Sequence, residues 1–214
     1  MSEGIDAVVW DMGGIFRRYF TEVLVDVGRE RGWPVGRMAL GPTGSVPDPD
    51  YDAMDAGEIS EGEYYARVVD RLHDEDIDFD PKRDPDWADE DRREVWSLVH
   101  DIADSPLRQA VLTNDASNWL GPDWWETWPE RHFFDAVVDV ATIGVRKPAA
   151  GAFEHVLRLL DADPARTVFV DDMRVNCRGA EAVGIAAHHL DIRDADGSVV
   201  ALRARLGLDA VPTP

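Results

Sequence analysis

The strongest constraint on the fold is a repeated device: a short apolar run that stops abruptly on polar residues. Ala7-Val8-Val9-Trp10 runs into Asp11-Met12-Gly13-Gly14, Ala110-Val111-Leu112 into Thr113-Asn114, and Val168-Phe169-Val170 into Asp171-Asp172. A fourth segment, Gly144-Val145-Arg146-Lys147-Pro148, follows a run at 135–140. Unbroken apolar runs of this length predict strands buried on both faces, and hence a mostly parallel sheet with helices on either side. An open α/β sheet places its chemistry outside the carboxyl ends of such strands. In chain order the four segments offer a carboxylate, a hydroxyl with an amide, a cation and a pair of acids.

The rest of the chain divides into two regimes. After a strand and turn over 5–16, residues from about 17 to 85 lose the strand pattern and become acidic and helical. Phe20, Val23, Leu24 and Val27 mark a helix over 20–31, and Gly32–Pro49 reads as a Gly- and Pro-rich loop, the least ordered part of the chain. Ser60-Glu61-Gly62-Glu63 is a capping box that starts a helix to His73, with Tyr64, Val68, Val69 and Leu72 as its apolar stripe. From about 89 onward helices (89–103, 149–161, 176–183, 198–206) alternate with strands (108–113, 135–140, 167–171, 185–190), and a Trp-rich loop with a short helix covers 117–132. This pattern predicts an α/β, doubly wound, mostly parallel core formed by 1–16 and 86–214, with a helical cap inserted at 17–85.

Composition narrows the function classes. With 214 residues the chain can bury a real core, and 44% hydrophobic with 30% charged residues is ordinary for a globular protein. No apolar stretch is long enough for a membrane span, the N-terminus lacks the pattern of a signal peptide, and the single cysteine, Cys177, fits a reducing compartment, so a cytoplasmic protein with no membrane partner is expected. Forty-three acidic residues against 22 basic ones give a net charge of −21, which repels nucleic-acid phosphates. That surface is a solvated acidic shell or an adaptation to high salt. Only Lys82 and Lys147 are lysines, so a lysine beside a predicted strand end is not background. The six histidines show no metal-ligand spacing.

Together with Gly57-Glu58-Ile59-Ser60 and Trp124-Trp125-Glu126-Thr127-Trp128-Pro129-Glu130, the motif Asp11-Met12-Gly13-Gly14 resembles the haloacid dehalogenase superfamily. Within it, the resemblance is to phosphatases with a helical cap after the first motif, of the glucose-1-phosphate and sugar-phosphate type, and it covers essentially the whole chain. It implies Mg²⁺-dependent hydrolysis of a small phosphorylated metabolite, a sugar phosphate, through an aspartyl-phosphate on Asp11. By the same resemblance Asp172 binds Mg²⁺ directly and Asp171 through water, Asp11 and the Gly13 carbonyl complete the ligands, and Asn176 steadies the loop.

Each motif also admits a plainer role. Asp11 is a nucleophile, as phosphoryl transfer requires, or a cap on the next element. Thr113-Asn114 offers a hydroxyl and amides to phosphate oxygens, or forms a turn. Lys147 holds the phosphate and Asp11 together, or belongs to a surface turn before a helix that Pro148 begins. Asp171-Asp172 repel each other unless a cation lies between them, or they cap the following helix. The rings of Trp119, Trp124, Trp125, Trp128, Phe133 and Phe134 are expected mostly in packing, with one or two left to face a sugar.

One position departs from the superfamily pattern. Most of its phosphatases carry a second Asp two residues after the nucleophile, to protonate the leaving oxygen and then activate water. Here Gly13 stands there, with no side chain for either task. General acid–base help is worth about 10²–10⁴ in rate. The gap admits a phosphatase that does without it, one whose substrate has a good leaving group, one that borrows a cap residue such as Glu58, Tyr64 or Tyr65, a C–halogen hydrolase, or a non-catalytic protein that binds a phosphorylated ligand. A phosphonatase would need a cap lysine, and only Lys82 is available.

Overall fold

The computed structural model describes residues 4–80, 83–84, 87–114 and 116–208, apart from the side chains of Ala88, Asn118, Trp119 and Ala141. Lys82 and the Trp119 side chain, singled out above, lie outside the described residues. The chain divides into two units, Met1–Phe16 with Arg92–Pro214, and Arg17–Asp91.

The first unit is built on a parallel sheet. Its strands are β1 (Ala7–Trp10), β2 (Arg108–Thr113), β3 (Ala136–Asp139), β4 (Thr167–Asp171) and β5 (Ala186–His189), in the spatial order β3-β2-β1-β4-β5. The order reverses beside β1, the position where such sheets open a crevice at their carboxyl ends. Trp10 pairs with Val111 on one side and Val170 on the other, so Asp11, one residue on, comes level with Asp171. Every residue of β1 and β4 is buried.

The second unit holds α1 (Phe20–Glu30), α2 (Pro49–Ala56) and α3 (Glu61–His73). The α1 stripe buries Phe20, Val23 and Leu24, with Val27 half-buried. The capping box forms: the Glu63 amide donates to Ser60 Oγ at 3.2 Å and the Ser60 amide to Glu63 Oε2 at 2.8 Å. The stretch read as a loop at Gly32–Pro49 is gathered around the Asp48 carboxylate. Asp48 accepts from the Gly41 amide at 2.8 Å, the Tyr64 hydroxyl at 2.9 Å and Arg71 Nη1 at 3.1 Å, and it caps α2 through the Asp50 and Tyr51 amides. An Asp directly before a Pro at the first helical position is a local start signal; the surrounding Gly and Pro residues masked it.

Helices of the first unit cover both faces of its sheet. They are α4 (Arg93–Ala103), the short α5 (Ala116–Leu120), α6 (Trp124–Thr127) and α7 (Val140–Ile143), then α8 (Ala150–Leu160), α9 (Arg174–Ala182) and α10 (Ala195–Leu206). Ala7, Val9, Leu112 and Phe169 join Phe153 and Val156 of α8 and Ala180 of α9 in one core. On the other face Trp10 Nε1 donates to the buried Gln109 side chain at 3.1 Å, whose Nε2 donates to the Val99 carbonyl of α4 at 3.0 Å. With both faces covered, the strands need apolar residues at every position.

Two helix starts differ from the sequence reading by three residues or more. The helix expected from 89 begins at Arg93, because Asp91 is drawn into an antiparallel bridge with Arg17. The one expected from 198 begins at Ala195, because Asp194 caps it through the Gly197 amide at 3.1 Å. The aromatic residues pack on one another: Trp128 stacks on Phe134 at 5.2 Å and Phe16 on Trp96 at 4.9 Å. No helix among the described residues is long and apolar enough to cross a membrane.

Candidate active site

Three carboxylates meet at the carboxyl ends of the two central strands. Asp11 follows β1, Asp171 ends β4, Asp172 follows it, and one oxygen from each lies within 4.8 Å of the others. All three are buried. Lys147 reaches them from the segment before α8, itself buried, with Nζ 2.5 Å from Asp11 Oδ1 and 2.9 Å from Asp171 Oδ2.

The electrostatics follow from that crowding. Burial pushes the Asp11 carboxyl up to about 6; Lys147 works against this and the charge of Asp171 adds to it. Burial disfavours the charge on Lys147, but Asp11 and Asp171 outweigh that and hold its ammonium above the ordinary lysine range. Among the described residues the one ammonium of Lys147 is shared between two buried acids, Asp11 and Asp171. A divalent cation fits such a cluster, and three oxygen ligands suit a hard ion such as Mg²⁺.

The remaining groups position these four. Asp171 accepts from the Met173 amide at 2.8 Å and from Asn176 Nδ2 at 3.2 and 3.1 Å, so Asn176 binds the first acid of the pair directly. Gly14 has φ +71°, and a Cβ built there would lie 2.5 Å from Asp172 Oδ2. Both the conformation and the close approach require glycine. Gly13 is exposed, and a Cβ added to it meets nothing within 4 Å. Thr113 lies buried at the end of β2. The Asn114 side chain pairs with the Lys147 main chain, accepting from its amide at 3.0 Å and donating to its carbonyl at 3.2 Å. Cys177 packs with Sγ 3.7 Å from the Asp171 carbonyl, and burial pushes its thiol well above the ordinary range, as suits an inert packing residue.

Sequence reasoning missed two supports. Arg92 is buried and donates from Nε to the Gly14 carbonyl at 2.8 Å. His189 Nε2 lies 2.9 Å from the Asp172 carbonyl, which only accepts, so that nitrogen carries the proton. His188, its neighbour on β5, turns to the Ser198 carbonyl instead. Neither Arg92 nor His189 sits in a local motif, so nothing in the sequence pointed to them.

A model of haloacid dehalogenase-like hydrolases matches residues 58–184, more than half of the chain. The chain belongs to this family. Among named relatives it is similar to sesquiterpene phosphatase AstK of Aspergillus oryzae, with 33% identity over 100 residues, 45% of this chain and 48% of that one. The chain thus matches about half the length of that relative. Among solved structures it is similar in fold to an uncharacterized protein from Corynebacterium glutamicum, with TM-score 0.55, 17% identity, and 97% and 99% of the two chains covered. It is also similar to L-2-haloacid dehalogenase from Xanthobacter autotrophicus, with TM-score 0.53, 22% identity, and 87% and 77% covered.

Proposed function

We propose that the chain is a Mg²⁺-dependent phosphatase of small phosphomonoesters, with Asp11 as nucleophile and Arg17–Asp91 as the cap that selects substrate. The observation that carries the reading is Lys147 Nζ bridging Asp11 and Asp171 in a buried, acid-rich strand-end cluster. A carboxylate nucleophile and an anionic substrate repel each other, and a fixed ammonium between them offsets that. Asp11 attacks phosphorus in line, the bond to the ester oxygen breaks and that oxygen leaves as the alcohol with a proton from water, and a second water cleaves the aspartyl-phosphate to phosphate and free Asp11. Thr113 and the backbone amides after β2 receive the phosphoryl oxygens. Mg²⁺, held by Asp11, Asp172, the Gly13 carbonyl and, through water, Asp171, would neutralise charge on the transferring group. The similarity to AstK, a sesquiterpene phosphatase, supports phosphate ester chemistry; the motif resemblance favours a sugar phosphate.

Gly13 supports a second reading. A halide leaves without a proton, so hydrolysis of a C–halogen bond needs no acid at that position. The Asp171–Asp172 pair argues against it, because such chemistry has no use for a metal.

The test is phosphate release from a panel of sugar phosphates, an isoprenoid phosphate and an aryl phosphate, with Mg²⁺ or EDTA, beside Asp11→Asn. We expect Mg²⁺-dependent release that falls at least ~10³-fold in Asp11→Asn. Turnover that survives both EDTA and the substitution overturns the reading. Silence on every ester, with halide released from 2-halo acids, establishes the second, and ligand binding without turnover marks a non-catalytic homologue. Because the Gly13 position is open, Gly13→Asp is expected to speed hydrolysis of alkyl phosphates by about 10²-fold and aryl phosphates far less. Equal effects on both would show that leaving-group protonation is not what limits the rate.

A further inference from the structure

Thr113-Asn114 was expected to offer a hydroxyl and amides to phosphate; the Asn114 side chain itself is engaged with Lys147. Its Oδ1 accepts from the Lys147 amide at 3.0 Å and its Nδ2 donates to the Lys147 carbonyl at 3.2 Å. The pairing mimics one rung of a sheet ladder, made by an amide side chain with the main chain of a residue 33 positions away. Its target is the residue whose ammonium bridges Asp11 and Asp171. Lys147 lies in a segment that no strand holds, between α7 and α8. A lysine has four rotatable bonds, so its Nζ is aimed only as well as its backbone is fixed.

We propose that Asn114 is the positioning residue for Lys147: it anchors that peptide on both sides and thereby sets where the ammonium stands between the two carboxylates. The proposal rests on the phosphatase reading and gives Asn114 a role distinct from phosphate contact. The two hydrogen bonds also specify an amide. Aspartate would accept from the Lys147 N–H but could not donate to its carbonyl, whereas alanine would lose both bonds.

The test is a double-mutant cycle, Asn114→Ala and Lys147→Ala singly and together, read by phosphate release and by inhibition with orthovanadate, with amide hydrogen exchange at residue 147 as an independent probe. If Asn114 works through Lys147, Asn114→Ala lowers kcat/KM and weakens orthovanadate by roughly 10- to 100-fold in the Lys147 background. The same change costs less than about twofold once Lys147 is alanine. Exchange at the Lys147 amide rises by about tenfold or more in Asn114→Ala and by less in Asn114→Asp, which keeps the acceptor. Equal losses in both backgrounds, or unchanged exchange at residue 147, overturn the proposal and return Asn114 to direct substrate contact. If the wild-type chain neither releases phosphate nor binds orthovanadate, the phosphatase reading fails and this role fails with it. The exchange data would then show whether the clamp exists apart from that chemistry.

Discussion

Each unit buries an aspartate beside a basic side chain, and the two are arranged to opposite effect. Asp48 in the Arg17–Asp91 unit gathers the Gly41 amide, the Tyr64 hydroxyl, two helix-start amides and the Arg71 guanidinium. Burial opposes its charge, but those donors outweigh it and hold its carboxyl below the ordinary range. Asp11 has Lys147, but it shares that lysine with Asp171 and lies close to Asp172, and its carboxyl is pushed up to about 6. A carboxylate surrounded by donors is a fastener. One left short of them in a buried site is where the proposed function would have a cation and a phosphoryl group received.

Removing the basic partner in each place should break the comparison if it is wrong. Lys147→Met leaves Asp11 and Asp171 buried without their cation, and we expect a loss of about 3–5 kcal/mol in urea unfolding with EDTA present. Millimolar Mg²⁺ should restore part of it. Arg71→Met leaves Asp48 with its amide and hydroxyl donors, and the Arg71 side chain is 23% exposed, so about 1–2 kcal/mol is expected, with no response to Mg²⁺. Equal losses, or a Mg²⁺ response at Arg71, would show that the two sites do not differ as described.

Neutralising the acids gives a sharper contrast, because the signs oppose. In EDTA at neutral pH, Asp11→Asn should stabilise the protein by about 1–3 kcal/mol, since a carboxyl raised from 3.8 to about 6 is destabilised by its charge. Asp48→Asn should destabilise it by a similar ~1–3 kcal/mol. The pH dependence follows from the direction of each shift. Between the unfolded value of 3.8 and about 6 the folded protein holds more protons on Asp11, so stability rises as pH falls through that window. The advantage of Asp11→Asn therefore fades on acidification. Asp48 contributes fully above its unfolded value, and its contribution is lost as pH falls through its lowered folded value, so the deficit of Asp48→Asn closes only under more acid conditions. Two variants that shift stability in the same direction at pH 7 would refute the contrast.

The same contrast explains what could be read from the sequence. Asp11, Thr113, Lys147 and Asp171-Asp172 stand at or after apolar runs, so chain order alone indicated both the sheet and the residues at its rim. What each of them touches was not legible. Asn114 was grouped with Thr113 because the two are adjacent, whereas its partners are amide and carbonyl groups 33 residues on. Arg92 meets the Gly14 carbonyl across 78 positions, which no local spacing encodes. Asp48 was obscured differently. Its local signal, a cap before Pro49, was present, but its worth comes from Tyr64 and Arg71 on a later helix, and the glycines that let the chain wrap around it read as looseness.

The smallest expected effect concerns the edge of the Asp48 cluster. Thr21 is fully buried, and among the described residues its Oγ1 has no hydrogen-bond partner. It stands where a Cβ on Gly41 would come within 2.5 Å, so the hydroxyl faces the backbone turn that Asp48 holds. If Asp48 already satisfies this region, the Thr21 hydroxyl is a desolvation cost with no return. Thr21→Val, which swaps that hydroxyl for a methyl of similar shape, should then raise stability by about 1 kcal/mol in urea unfolding without moving the urea slope. A loss of about 1 kcal/mol instead would mean that the hydroxyl is satisfied in solution and belongs to the cluster. The sign of this one change therefore shows whether the donors around Asp48 are complete without Thr21.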